Sequence, residues 1–408
     1  NLVERGREMY SARLVKEEFL AVKRIIRAVR TQEKRPEVQY DLRKFEKSLD
    51  AVNRCMLNWK HKCDEFEVLT DAGSLPFQLL RIIADYELFA KNYPALPERE
   101  TMLNFYFNVR KFSAVLDGMD DKYRIYTDYD TDGNFRIKLQ CMDPSGQLRD
   151  VMERGRATVL FSATLLPIRY YKEQLTSKKE DGAVYARSSF VPEQRKILIA
   201  RDVTSKYTRR GDEEYQKIAE YIQCFVRARA GNYLVFFPSY SFMDQVIARL
   251  EPDDRQQILV QSSDMREKEK EEFLAAFDRE TEESILGCCV MGGIFSEGID
   301  LKEDRLIGAV IVGTGLPMVC HERELFKQYY DEKKGNGFDY AYLFPGVNKV
   351  FQAGGRVIRT AEDKGAILLL DERFLQRQYR DLFPREWFPY DVVDCRQMQQ
   401  VLGEFWEG

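Results

Sequence analysis

Apolar residues recur every three or four positions along the first quarter of the chain. Val15, Phe19, Val22, Ile26 and Val29 fall on one stripe, which predicts an amphipathic helix. Leu42, Phe45, Leu49, Val52, Met56, Trp59 and Cys63 follow with alternating three-and-four spacing, the pattern of a long helix packed along another. Pro36 separates the two, and the simplest arrangement is an antiparallel pair. Asp71-Ala72-Gly73-Ser74-Leu75-Pro76 breaks the pattern. Further helices are predicted at roughly 77–92 and 98–116, with Pro94 and Pro97 between them.

At Arg124 the period changes from helical to alternating. Arg124–Asp128 and Phe135–Cys141 read as strands around the hairpin signal Asp130-Thr131-Asp132-Gly133-Asn134. From Thr158 onward, short apolar runs alternate with amphipathic stretches. Thr158–Phe161, Asn232–Phe237, Ile258–Val260, Ile285–Val290, Ala309–Val312 and Ala366–Leu370 are predicted strands. Residues 212–229 are a predicted helix, with Ile218, Tyr221, Ile222, Phe225 and Val226 on one face. Strands alternating with helices imply an α/β fold with a mostly parallel sheet covered on both sides. Ligand chemistry in such sheets sits at the carboxyl ends of the strands, and the motifs below are expected there. Domain boundaries are expected near residue 120 and between 175 and 195.

Composition narrows the class. A chain of 408 residues exceeds a single core, so two or three domains are expected. Its 44% hydrophobic and 12% aromatic content supports packed cores. The net charge of −4 excludes a globally basic protein, so any nucleic-acid surface is a local patch. There is no run of about 18 apolar residues and no secretion-type start, which points to a cytoplasmic protein without a membrane span. The chain begins at Asn1 rather than Met, as a fragment or a processed product would. The eight cysteines form no Cys-x-x-Cys and there are two histidines, so no metal site is expected in this chain. Asp128–Gly133 mimics the start of a calcium loop, but the twelfth position is Leu139 where a bidentate Glu is required. The basic run Lys23, Arg24, Arg27 and Arg30 reads either as a solvated helix face or as the lining of a DNA path.

Four stretches carry chemistry. In Gln352-Ala353-Gly354-Gly355-Arg356-Val357-Ile358-Arg359, the glycines permit close backbone approach. The two arginines are expected on one side of a helix starting near Val350. A guanidinium offers planar donors to phosphate oxygens. At a γ-phosphate under hydrolysis it is worth about 10³–10⁵ in rate. No Gly-x-x-x-x-Gly-Lys-Ser/Thr loop occurs in the chain, so these arginines would act on a phosphate held by another domain. Gly292-Gly293-Ile294-Phe295-Ser296-Glu297-Gly298-Ile299-Asp300-Leu301 follows a predicted strand. It is either a plain glycine turn or a phosphate-facing loop, with Ser296 donating to a DNA phosphate and Asp300 accepting from a ribose hydroxyl. Ser162 and Thr164, in Ser162-Ala163-Thr164-Leu165, suit a hinge that senses nucleotide on one side and strand on the other. In Phe237-Pro238-Ser239-Tyr240, Ser239 either caps the following helix or binds backbone phosphate while Tyr240 stacks on a base.

In their order and spacing these four stretches resemble the third, fourth, fifth and sixth motifs of the DinG/XPD family of DNA helicases. Gly315-Leu316-Pro317 is also similar to a family segment. The resemblance implies a RecA-like parallel sheet flanked by helices, the second motor domain, preceded by a mostly helical arch-like domain. Residues 1–24 would be a residual helix of the first motor domain and 25–120 the arch. Residues 121–175 would return to the first motor domain, and 176–408 would form the second. It implies ATP hydrolysis with Mg²⁺ and 5′-to-3′ movement on single-stranded DNA. Arg356 and Arg359 would reach the γ-phosphate and Gln352 would orient the nucleotide. Gly298, Asp300 and Gly355 would complete the ATP cleft. Ser239, Tyr240 and Ser296 would hold the strand, and Ser162 and Thr164 would couple closure to grip. The phosphate loop, the Asp-Glu-Ala-His box and any iron–sulfur cluster would lie upstream, on the missing amino-terminal motor domain that is the implied partner. The isolated chain would then be inactive. Two other readings stay open: a non-catalytic module binding single-stranded DNA or a partner, and the helicase half of a nuclease–helicase fusion.

Overall fold

The computed structural model describes every residue except 1, 94–96, 177, 179, 187, 189, 252–254, 279–283, 296–300, 302–304, 359, 361 and 408. The chain divides into two compact units. One is Asn1–Thr158 with Lys172–Lys179, the other Val159–Tyr171 with Glu180–Gly408.

The first unit runs α1 (Leu2–Tyr10), β1 (Ala12–Val15), α2 (Lys16–Gln32), α3 (Pro36–Lys60), β2 (Phe66–Leu69), α4 (Leu75–Asn92), α5 (Arg99–Asp117), β3 (Tyr123–Tyr129), β4 (Phe135–Cys141) and α6 (Ser145–Met152). Pro36 opens α3, where its missing N–H costs nothing. The two predicted stripes meet in one core. Phe19, Val22 and Ile26 of α2 pack with Leu42, Phe45, Leu49, Val52 and Met56 of α3. The basic run of α2 turns toward α3: Lys23 pairs with Asp50, while Arg27 and Arg30 reach Glu46 at 3.3 and 3.0 Å. These three charges are engaged within the helix pair, which favours the structural reading of that run over a DNA path.

The strands form an antiparallel sheet in the order β1-β4-β3-β2. The β3–β4 hairpin turns at Gly133, whose φ of +77° suits glycine. The Asp130 carboxylate accepts from the Asn134 N–H at 2.8 Å, so this acidic cluster is a turn device, as expected. β1 and β2 were not expected from the pattern; each is an edge strand of four residues.

The second unit takes in the first half of α7 (Ile168–Leu175) and then β5 (Arg195–Ala200), α8 (Asp212–Arg227), β6 (Asn232–Phe237), α9 (Tyr240–Ile247), β7 (Gln256–Val260), α10 (Glu267–Ala276), β8 (Ser284–Val290), β9 (Gly308–Val312), α11 (His321–Lys334), α12 (Phe344–Gly354), β10 (Gly365–Leu370), α13 (Arg377–Arg380), β11 (Asp391–Val393) and α14 (Cys395–Glu407). Its seven strands lie in the order β11-β5-β10-β9-β6-β8-β7, and every neighbouring pair is parallel. Alternate side chains face opposite layers. Ile199, Phe236, Ile311 and Leu369 pack under α10 and α12, and Val235, Phe237, Val310 and Leu368 under α8, α9 and α14. A parallel sheet buried on both faces explains why its strands read as continuous apolar runs. The α/β class and the helix-flanked parallel sheet are as expected.

One predicted strand is absent. Thr158–Phe161 has no regular structure, and Val159 and Phe161 are 81% and 90% exposed. A strand needs a neighbour to take its backbone hydrogen bonds, and neither sheet places one beside this segment. No helix among the described residues is long and apolar enough to cross a membrane.

Candidate functional site

The parallel strands of the second unit deliver their loops to one edge of the sheet. After β6, the Ser239 Oγ accepts from the Phe242 N–H at 3.3 Å and caps α9. Tyr240 follows, and its hydroxyl accepts from the Gln261 side-chain amide at 2.9 Å. Gln261 lies just past β7 and is buried. Its carbonyl oxygen accepts from the Val290 N–H of β8 at 3.0 Å. One side chain therefore ties three strand ends together and fixes the Tyr240 ring. A Cβ on Gly293 would approach that Gln261 amide to 3.0 Å, so the glycine permits the contact. Gly292 has φ +77° and lies against the Lys349 stem of α12.

A second network joins the ends of β5, β9 and β10. Asp371 follows β10 and is wholly buried. Its carboxylate accepts from Arg373 Nε and Nη2 at 2.8 and 2.7 Å, and from the Ser205 N–H and Oγ at 2.8 and 2.9 Å. Burial alone would push this carboxyl up. The Arg373 guanidinium and the Ser205 amide outweigh it and hold Asp371 below the usual aspartate range. Gly313, after β9, has φ +84°, and a Cβ there would fall 2.4 Å from Ser205 Oγ. The Thr204 N–H donates to Glu214 of α8 at 2.5 Å. Neither Gln261 nor Asp371 was anticipated, although both stand where the carboxyl-end rule points.

Gln352 and Arg356 are brought elsewhere. α12 starts at the carboxyl edge, where Gly346 meets the backbone of Gly315 and Leu316, and it runs back along the sheet. It ends at Gly354, which packs against Trp387 and Ile367, and exposed Gly355 forms the cap. Arg356 sits in the following turn, its N–H donating to the Ala353 carbonyl at 3.3 Å. The next residue, Val357, lies against Gly365, the first residue of β10. Two expectations are thereby corrected. Arg356 is past the helix rather than on its side, because α12 starts six residues before Val350. It also lies at the amino edge of the sheet, because a helix returning between parallel strands delivers its end there. Half-buried Gln352 is on the last turn of α12.

Ser162 and Thr164 form a local turn in an exposed segment. The Thr164 N–H donates to Ser162 Oγ at 3.2 Å, and the two hydroxyls are 3.3 Å apart. Ser296, Gly298, Asp300 and Arg359 lie outside the described residues. All eight cysteines are free thiols. Cys288 and Cys289 are packed in β8, and burial pushes the Cys288 thiol up to about 12. Among the described residues no three His, Cys, Asp or Glu side chains group as metal ligands would.

The second unit thus presents serine, tyrosine and glycine loops at one edge of a seven-stranded parallel sheet and Gly-Gly-Arg at the other. Residues 222–390 match the family model described as the helicase C-terminal domain. The chain is 28% identical over 250 residues to the ATP-dependent DNA helicase XPD of Sulfolobus acidocaldarius, covering 59% of this chain and 43% of that protein. It is 25% identical over 284 residues to the ATP-dependent DNA helicase CHL1 of Yarrowia lipolytica, covering 60% and 35%. The chain thus spans less than half the length of these curated relatives. A solved structure of S. tokodaii Xpd4 shares the fold across 96% of this chain and 74% of its own, at TM-score 0.61 and 15% identity. An apo XPD structure does so at TM-score 0.58 and 21% identity, with the same coverage. Residues 222–390 thus carry a helicase C-terminal domain, and the chain is similar to the carboxyl-terminal portion of XPD and CHL1 helicases.

Proposed function

We propose that the chain supplies phosphate-sensing arginines and a strand-gripping edge to an ATP-dependent DNA helicase that moves 5′-to-3′ on single-stranded DNA. The observation that carries this reading is the separation of the two chemistries. Arg356, with Gln352 on the turn before it, lies at the amino edge of the sheet, and Ser239 and Tyr240 lie at the carboxyl edge. A domain built this way can meet nucleotide with one surface and DNA with another.

The donor set fits a phosphate. Guanidinium and amide N–H groups beside exposed Gly355 are donors suited to phosphate oxygens. Arg356 and Arg359 would stabilise charge on the γ-phosphate, and Gln352 would orient the nucleotide. Gly298, Asp300 and Gly355 would line the cleft wall. The described carboxylates do not group as magnesium ligands, so the metal would be held with the triphosphate on a motor domain bearing a phosphate loop. ATP and Mg²⁺ supply the driving hydrolysis. This chain's residues sense the phosphate and hold the strand through Ser239, Tyr240 and Ser296, with Ser162 and Thr164 coupling the two. Four domains follow from the same reading: 1–24, the arch-like 25–120, the returning 121–175, and the motor domain 176–408. The eight free thiols suit a reducing cytoplasmic compartment.

The test is ATP hydrolysis stimulated by single-stranded DNA, measured for the chain alone and mixed with a motor domain carrying the phosphate loop. Activity confined to the mixture, lost in Arg356→Ala with DNA binding retained, is the expected result. Equal loss of hydrolysis and DNA binding in that variant would overturn the assigned role. The chain's lack of a Gly-x-x-x-x-Gly-Lys-Ser/Thr stretch favours a second reading, a binding module without turnover. Strong DNA binding with an inactive mixture would support it.

A further inference from the structure

Five residues past the carboxyl end of β5, the chain reads Ser205-Lys206-Tyr207-Thr208-Arg209-Arg210. Tyr207, in a short 3₁₀ turn, is 83% exposed. The Arg210 guanidinium stands over its ring, 5.4 Å from the centroid. The same guanidinium is 5.2 Å from the centroid of Phe242, the residue whose N–H is capped by Ser239. This loop is therefore beside the first turn of α9. The other two cations of the loop have acidic neighbours. Lys206 is 3.5 Å from Glu372, and Arg209 is 3.0 and 3.6 Å from Glu214 and Glu372. Arg210 donates its Nε to the Ser205 carbonyl at 3.2 Å.

The pedestal of this loop is rigid. Ser205 is held by buried Asp371 through both its N–H and its hydroxyl, and the Thr204 N–H by Glu214. Fixing a surface tyrosine and an arginine on a buried ion-pair network preorganises them for a ligand. An exposed aromatic ring with an adjacent guanidinium matches one polymer in particular. A nucleic-acid base stacks on the ring, and the following backbone phosphate takes the guanidinium and the α9 amide end.

We propose that Tyr207 and Arg210 form a base-stacking and phosphate-binding platform that extends the Ser239–Tyr240 edge along single-stranded DNA. The inference rests on the DNA-binding reading above and adds a named subsite to it. Tyr207 contributes stacking, which is insensitive to salt and tolerant of sequence. Arg210 contributes one phosphate contact, which is sensitive to salt.

The experiment is fluorescence anisotropy of a labelled oligothymidylate with the 408-residue chain, repeated across a salt series. Tyr207→Ala should weaken binding by about five- to a hundred-fold with the salt slope unchanged, and Tyr207→Phe should bind like the wild type. Arg210→Ala should weaken binding and reduce the salt slope by about 0.7, the single-strand value for one phosphate. Circular dichroism of each variant separates a lost contact from a lost fold, and Tyr207→Phe serves as the folded control. If the wild-type chain binds but Tyr207→Ala and Arg210→Ala bind equally well, this platform is wrong and the wider reading stands. If Tyr207→Phe is as weak as Tyr207→Ala, the ring does not stack and the proposal fails. No binding by the wild-type chain would overturn both.

Discussion

The Gln261 side-chain amide donates to the Tyr240 hydroxyl at 2.9 Å, and the opposite oxygen of the same amide accepts from the β8 backbone at 3.0 Å. A buried amide used at both ends cannot be replaced by an apolar group without stranding a backbone N–H. Gln261→Leu should therefore lose about 1–3 kcal/mol of stability. It should also free the Tyr240 ring and weaken DNA binding. Urea unfolding checks the first outcome, and a variant as stable as the wild type would show that water replaces the amide.

Asp371 makes a prediction in pH. Its folded-state pKa lies below its unfolded value because Arg373 and Ser205 outweigh its burial. A carboxyl of this kind contributes stability above the ordinary aspartate value of about 4, and the contribution is lost as pH falls through the folded value. Asp371→Asn should cost about 3–5 kcal/mol at neutral pH, because it leaves the Arg373 charge buried without its partner. The gap between variant and wild type should narrow steadily on acidification below that value. A gap independent of pH would mean that shape, rather than charge, is what the site requires.

Gly315 and Gly335 share a left-handed backbone, at φ +70° and +75°, and differ in surroundings. A Cβ on Gly315 would lie 2.4 Å from the Gly346 carbonyl oxygen, whereas nothing lies within 4 Å of one on Gly335. Gly335→Ala should cost only the backbone term, about 1 kcal/mol. Gly315→Ala should cost clearly more, since backbone must move in α12. Thermal melts of the two variants give the comparison, and equal shifts would refute the close packing.

Val159 and Phe161 are exposed apolar side chains just ahead of the Ser162–Thr164 turn. The double variant Val159→Ser, Phe161→Ser should change stability by no more than about 0.5 kcal/mol. It should also reduce self-association of the purified chain in sedimentation velocity. A large loss of stability would show that these side chains are buried in solution.

Periodicity carried most of the fold because burial on a repeating face leaves a repeating mark. The α2 and α3 stripes map directly onto one core, and Asn232–Phe237 is a strand over the same residues predicted. Misses have physical causes. β1, β2 and β11 are edge strands of three or four residues, too short to display a period. β5 was legible as the apolar run Ile197-Leu198-Ile199-Ala200, yet its charged flanks, Arg195-Lys196 and Arg201-Asp202, disguise it. Thr158–Phe161 has strand composition without a neighbour to pair with. At the site, Ser239 could be read as a cap because a serine before a helical run has a local signature. Gln261 and Asp371 have none. Their importance arises from strand ends that converge only once the sheet is assembled. The edge at which Arg356 emerges is likewise a product of topology, which the motif itself does not encode.

α12 touches the Gly315 backbone at its first turn and hands the chain to Arg356 after its last. From Gly346 to Gly354 this is about 12 Å of helix at 1.5 Å per residue. With backbone packed on backbone at one end and Trp387 wedged against Gly354 at the other, the helix has little room to bend. A displacement of the Gly313–Leu316 loop is then passed to the arginine as translation of a stiff rod. In that sense the two edges of the sheet are mechanically one object, joined through the backbone of a single short helix.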